Sequence, residues 1–406
     1  MGRINDFLSL AATIIMLFSV IICVSPVKAS PSVRYVEVNI DITTTGGVNR
    51  FFTVQTGDTL VQVVNPLYTV AASTTAMFTT RDAFTGTISG DLSGSLTNGK
   101  FNTIWVDITG TSMRGLTAGH AEYGDSIGGF SLIMVLDVEA TLSGGNIVAA
   151  SLKGYAFSKS ANGGYAGTIL FARLEGSLTG VNKWSFKGKG YICSQAQCPE
   201  ATFSVTGSRE SAPGEIRVSS LYSSDTVVQF ATSDMTLPEN ATAGFTTRQK
   251  LIGTSSGYIA GSFTLDSNAF IITSGTYVGR GYSIARFTFT GSDTLDGFLI
   301  LDNSNYGVHN GYIVGASGTG VFAGKFIVGT FQGTFKNPPN YYDYEGSGSI
   351  RICSIPPPVG GIIVEPATTE AYPNAFASQW PLIAITAAII AAITMLAKKR
   401  AILINH

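Results

Sequence analysis

Phe78-Thr-Thr-Arg-Asp-Ala-Phe-Thr-Gly-Thr-Ile-Ser-Gly-Asp-Leu-Ser-Gly-Ser-Leu-Thr97 and Phe245-Thr-Thr-Arg-Gln-Lys-Leu-Ile-Gly-Thr-Ser-Ser-Gly-Tyr-Ile-Ala-Gly-Ser-Phe-Thr264 are two versions of one segment, 167 residues apart. Phe-Thr-Thr-Arg is identical in both, and Gly86, Gly90 and Gly94 recur as Gly253, Gly257 and Gly261. A second block follows in the same order: Ala166-Gly167 through Gly176 matches Ala323-Gly324 through Gly333. Trp184-x-Phe186-x-Gly188-x-Gly190 then parallels Tyr342-x-Tyr344-x-Gly346-x-Gly348, and each copy closes on Ile-Cys-Ser, at Cys193 and Cys353. A period this long is a domain duplication, not a solenoid unit. Two tandem homologous domains are expected, residues 30–208 and 215–354, joined by a linker at 209–214.

Both domains read as all-β. Apolar and polar residues alternate in Tyr35-Val-Glu-Val-Asn-Ile-Asp-Ile and in Tyr282-Ser-Ile-Ala-Arg-Phe-Thr-Phe-Thr, the period of a half-buried strand. Phe130 to Leu136 and Phe298 to Leu301 are continuous apolar runs suited to strands covered on both faces. Asn98-Gly99, Gly144-Gly145 and Asn310-Gly311 fall between such runs, as antiparallel hairpins require. The architecture is therefore an antiparallel barrel or sandwich in each domain. The glycines favour the barrel: spaced four apart, Gly86, Gly90 and Gly94 share one face of an extended strand, and glycine inside a strand suits a tight bend or a close approach. This Gly-aromatic pattern resembles that of small calycin-type or allene-oxide-cyclase-type barrels. The resemblance implies a closed barrel and carries no activity with it.

The ends of the chain define a topology. Residues 1–29 have a short polar start, an apolar run from Leu8 to Val24 and the small-residue exit Val27-Lys28-Ala29, the order of a secretory signal peptide. Residues 380–397 open on Trp380 and continue as an uncharged apolar run, followed at once by Lys398-Lys399-Arg400. That is a single transmembrane helix with a basic cytoplasmic tail at 398–406. The Pro/Gly-containing residues 355–379 read as a semi-extended stalk. The expected location is the cell membrane, with the β domains outside.

Only 13% of residues are charged and the net charge is −1, with the basic tail held inside. An exterior with no basic cluster argues against nucleic acid as a partner; other envelope proteins or surface glycans suit it better. Cys23 leaves with the signal, so three cysteines face an oxidising exterior. Cys193 and Cys198 are close enough in sequence for a small disulfide loop, with Cys353 left over, although three cysteines allow three pairings. Asn240-Ala-Thr242 is an N-glycosylation sequon.

Chemistry is sparse, and no catalytic, metal or cofactor set is expected. His120 with Glu122 and Asp125 is a weak metal or acid–base grouping on a polar loop, and the segment Asp302 to His309 lacks a ligand that a calcium loop needs, Tyr306 standing in its place. Asp107, Asp137, Asp296 and Asp302 sit near strand ends, where carboxylates cap turns. Cys353 has no histidine partner in sequence. Arg81 and Arg248, the repeated arginines, are the ligand candidates, since a guanidinium holds carboxylates or phosphates through two parallel bonds. The leading expectation is a non-enzymatic surface component, structural, adhesive or partner-binding. A barrel that binds a small ligand is the alternative, favoured by a cavity and excluded by solid cores; a hydrolase using carboxylates or Cys353 is the third.

Overall fold

The computed structural model describes residues 33–70, 75–107, 111–210, 216–220, 225–237, 241–246, 249–274, 277–304, 307–336 and 342–355. The expected signal and membrane segments, the stalk beyond Ile355 and Asn240 lie outside them. Among the described residues no helix is long and apolar enough to cross a membrane.

The first half folds into β1 (Val33–Thr44), β2 (Val48–Thr53), β3 (Thr59–Leu60), β4 (Tyr68–Thr69), β5 (Thr75–Gly90), β6 (Gly94–Asp107), β7 (Ser112–Gly124), β8 (Gly128–Ser143), β9 (Asn146–Gly163), β10 (Thr168–Gly180) and β11 (Lys183–Ser194). The second comprises β12 (Glu200–Arg209), β13 (Ile216–Ser220), β14 (Thr226–Val227), β15 (Met235–Thr236), β16 (Thr242–Thr246), β17 (Gln249–Gly257), β18 (Gly261–Ser274), β19 (Tyr277–Thr290), β20 (Thr294–Ser304), β21 (Val308–Gly318), β22 (Lys325–Phe335) and β23 (Asp343–Ser354).

In the second sheet the order β18-β17-β12-β23-β22-β21-β20-β19 returns to β18, closing an eight-stranded antiparallel barrel, with β16 and β13 appended to β18. The first sheet runs β1-β11-β10-β9-β8-β7-β6-β5, and β5 also pairs with β1 from Val38↔Gly90 to Thr44↔Phe84. That ring closes too, with β2 appended to the other end of the sixteen-residue β5. Closure removes the exposed strand edges that a sandwich retains. Two of the repeated glycines in each half lie against the first strand of its ring. A Cβ on Gly86 would overlap the Asp41 carbonyl oxygen of β1, and one on Gly253 that of Thr206 on β12. Gly90 and Gly257, with φ of 109° and 85°, turn the chain out of β5 and β17 in a backbone region that side chains disfavour.

The sheet boundary corrects the expected domain limits. β12 pairs with β17 and β23, so the strand Glu200–Arg209 is the first of the second barrel, not the last of the first domain. An antiparallel barrel closes by pairing its first and last strands, as β1 pairs with β11 and β12 with β23.

Alternation sorts the apolar residues into three cores. One fills the first barrel (Val38, Ile40, Phe84, Phe130, Leu136, Phe186), and another the second (Phe203, Phe263, Phe287, Phe331, Tyr344). The third lies between the barrels, built from outward faces and the intervening loops. Rings from the two sheets meet there in pairs: Phe78 on Phe270 at 3.9 Å between centroids, and Phe171 on Phe326 at 5.0 Å. The two barrels are thus one packed body.

Two loops are trapped between them. Asp137 on β8 accepts the backbone N–H groups of Val63, Val64 and Asn65 at 2.7–2.8 Å. Asp302 on β20 accepts those of Phe230, Ala231 and Thr232 at 2.7–2.9 Å. Gln62 and Gln229 anchor the same loops through their amides, to the carbonyls of Gly115 and Gly281. Each loop also reaches the opposite barrel: Val61 N–H donates to Asn268 Oδ1 (2.6 Å), and Arg50 of β2 meets Asp225 (2.6 Å) in a fully buried ion pair.

Candidate functional site

The first barrel is not filled to its end. Where β1 turns into β2, β8 into β9 and β10 into β11, its interior opens into a cavity of about 260 Å³. The walls are inward-facing side chains of seven strands. Aromatic rings dominate: Phe101 and Trp105 from β6, Trp184 and Phe186 from β11. Glycines on neighbouring strands make room for them. A Cβ on Gly115 would press on the Trp105 indole, and one on Gly176 on the Phe186 ring. Thr103 and Thr117 satisfy each other through a 2.8 Å hydroxyl bond on the wall, so they add little unmet polarity.

Among the described residues one charged group faces this space. Asp82 of β5 lines the cavity half-buried and makes no hydrogen bond or ion pair among the described residues. Burial alone pushes its carboxyl up to about 7. None of the other lining residues is a Lys, Arg or His. Its position follows from a bulge in β5 between Thr79 and Asp82, which turns both residues inward.

The second barrel fills the matching space. In the strand pairings Asp82↔Phe101 corresponds to Gln249↔Ser267, and Leu152↔Gly176 to His309↔Gly333. Trp184↔Leu178 corresponds to Tyr344↔Phe335, so Tyr344 stands where Trp184 does, and Gly346 where Phe186 does. The sequence alignment of Tyr342 with Trp184 is thereby shifted by one inward-facing position. Tyr344, Phe335 and His309 pack together at 4.8–5.8 Å, with the Arg209 guanidinium 4.6 Å over the Phe335 ring. His309 is half-buried, and burial, then Arg209, pushes it down to about 4; it is neutral at pH 7.

Of the residues singled out from sequence, Arg81 lies in β5 directly before Asp82, with its side chain outside the described residues, as is Arg248 entirely. The expected Cys193–Cys198 loop is not formed. Cys198 bonds to Cys353, and Cys193 is a buried free thiol. The reason is the sheet boundary: Cys198 immediately precedes β12, and the Ile352 N–H donates to the Pro199 carbonyl, so Cys198 lies alongside β23. All three sulfurs still lie within 4.8 Å of one another.

His120, Glu122 and Asp125 do not assemble. His120 is on β7, not in a loop, and its Nε2 lies 2.9 Å from Asp234 Oδ1. Glu122 accepts from Ser131, and Asp125 from Tyr123 and Tyr165. Asp234 also binds Lys100 at 2.7 Å, tying the β14–β15 loop to the first barrel. Burial raises the Asp234 carboxyl, but the bonds from His120 and Lys100 outweigh it and hold the group down at about 2. A depressed carboxyl contributes stability above its ordinary range and loses it as pH falls through the folded value. Asp234→Asn should therefore cost about 1–2 kcal/mol at pH 7 and flatten the acid limb of stability between about pH 4 and 2. Urea titrations at several pH values measure both; equal slopes for parent and variant would refute it.

Asp82 and the two trapped loops are absent from the expectations drawn from sequence. The loops carried a signal: Asp58-Thr-Leu-Val-Gln62 recurs as Asp225-Thr-Val-Val-Gln229 at the same offset of 167. Asp82 carried one as well, as the first position after Phe-Thr-Thr-Arg where the two copies part. No protein-family model, curated protein or solved structure matches this chain.

Proposed function

We propose that this is an exported, membrane-anchored protein whose two β units arose by tandem duplication, and whose first barrel binds a small molecule. The observation that carries the ligand reading is the open, aromatic-lined cavity of about 260 Å³ in one barrel, where the other holds packed side chains. Small-molecule sites are concave and mostly apolar, with a few placed polar groups, and small closed barrels hold single ligands in this way. The solid second barrel then serves as scaffold and as the half nearer the stalk, the surface-structural role expected from sequence. Residues 1–29 export the chain and residues 380–397 anchor it, with Asn240 available for glycosylation outside.

The protein reports on its own cavity. It has three tryptophans, and Trp105 and Trp184 both line the space. Titrating the full-length chain, held in uncharged detergent, with small aromatic compounds should give saturable changes in tryptophan emission. Thr103→Phe, which places a ring in the cavity, should abolish them while leaving the far-ultraviolet circular dichroism of the parent. Emission that no compound alters, or alters equally in the filled variant, overturns the reading.

A further inference from the structure

We infer that the ligand is an organic monocation, a protonated amine or quaternary ammonium on a compact apolar body, seated between the Asp82 carboxylate and the aromatic rings of the first barrel. This rests on the ligand-binding reading and specifies its chemistry.

Three observations converge. First, among the described residues the cavity has a single charged lining group, and that group is negative. Second, the carboxylate makes no hydrogen bond or ion pair among the described residues, whereas the carboxylates of Asp225 and Asp234 meet Arg50 and Lys100, and those of Asp137 and Asp302 each accept three backbone N–H groups. A half-buried carboxylate without a partner is destabilising, and an entering cation relieves it. Third, Phe101, Trp105, Trp184 and Phe186 line the same space. Aromatic faces attract cations, tryptophan most strongly, and cages of such rings are a recurrent way of binding quaternary ammonium groups. An anionic ligand would meet repulsion from Asp82 and no donor of positive charge. A neutral apolar ligand would leave the carboxylate buried and still unpaired. The second barrel lacks this set: Gln249 stands at the register position of the acid, Ile271 and Gly346 at those of Trp105 and Phe186, and Tyr344 occupies the mouth.

The neighbouring charges do not supply a counter-ion. Lys100, adjacent on β6, is bonded to Asp234, and Arg50 of β2 to Asp225. Among the described residues no other lining residue from β1, β6, β7, β8, β9 or β11 titrates. Ionisation of Asp82 at about pH 7 therefore couples directly to cation binding.

The test uses three probes of similar size on the full-length protein: benzyltrimethylammonium, neutral benzyl alcohol and anionic 3-phenylpropionate, each followed by tryptophan emission. The cation should bind at least tenfold more tightly than the neutral probe, and the anion weakest. Asp82→Asn should weaken the cation at least tenfold and leave the neutral probe unchanged, which also shows that the variant is folded. Because a quaternary ammonium does not titrate, its affinity should fall about tenfold per pH unit below pH 7, as Asp82 takes up a proton. Cation and neutral probe binding equally, or a preference for the anion, overturns the inference while leaving a ligand-binding barrel. Failure of all three probes to bind removes the inference and counts against the reading beneath it.

Discussion

Replacing Asp137 by alanine is expected to destabilise the protein by about 3–5 kcal/mol. The carboxylate is 2% exposed and accepts three consecutive backbone N–H groups from the loop that follows β3. Deleting it leaves three donors without a partner, and each buried unsatisfied group costs about 1–3 kcal/mol before relaxation. The loop does not relax freely, since its Val61 and Val63 and the preceding Leu60 of β3 are packed in the core between the barrels. Admitting water to the donors means giving up that packing. Asp137→Asn keeps one acceptor oxygen and should cost distinctly less. Urea unfolding of the full-length protein, comparing midpoints at constant slope, separates the two variants. A loss below about 1 kcal/mol for Asp137→Ala would show that the loop is held by its apolar contacts alone.

The second large effect concerns the cysteines. The Cys198–Cys353 bond closes a loop with a sequence separation of 155. Chain-entropy arguments assign a bridge of that span a contribution of about 4–5 kcal/mol, and removal of native disulfides commonly costs about 2–5 kcal/mol. The double variant Cys198→Ser/Cys353→Ser should show this loss in full. The single variant Cys353→Ser should lose less, because the Cys193 sulfur lies within 4.8 Å of Cys198 and takes up the free partner under oxidising conditions. In the parent, burial holds the Cys193 thiol at about 11, so it should resist alkylation until the protein unfolds. Peptide mapping without reduction identifies the pairs. A single variant that shows no Cys193–Cys198 bridge and the full stability loss would contradict this.

Much of the fold could be read from a few residues. The offset of 167 between the Phe-Thr-Thr-Arg segments marked the repetition, and Gly86 and Gly90 marked the close approach of β5 to β1 that shuts the first ring. The boundary between the halves was misplaced because β12 alternates weakly. Its inward positions are Phe203, Val205 and Gly207, against Val38, Ile40 and Ile42 in β1. Glycine at the third position, which accommodates the Phe263 ring, erased the pattern that identified β1. The disulfide was misassigned for the same reason: nearness in sequence pointed to Cys193, while membership in the second sheet brought Cys198 to Cys353. The cavity was beyond a one-dimensional reading altogether. Whether a barrel interior is full depends on the summed volume of side chains from all eight strands, and Asp82 points inward because of a bulge that shifts the alternation of β5. Arg81 drew attention because it repeats, whereas the group that meets the cavity is the one that differs between copies.

The closed rings also set an order in time. Every strand of the first ring lies before residue 195, so it can shut as soon as β11 has been synthesised. The second ring cannot shut until β23 arrives to meet β12, about as far along the chain as the two bonded cysteines. Pairings of such separation form slowly, because the chain between them must first be confined. During that interval β12 has an unpaired edge and the outward aromatic face of the first barrel has no cover, the two features that invite a neighbouring chain to dock wrongly. The first barrel is then a finished surface on which Phe270, Phe298 and Phe326 come to rest. Losses in yield on crowded expression should thus trace to the late half of the molecule, while the early half, with its cavity, is already built.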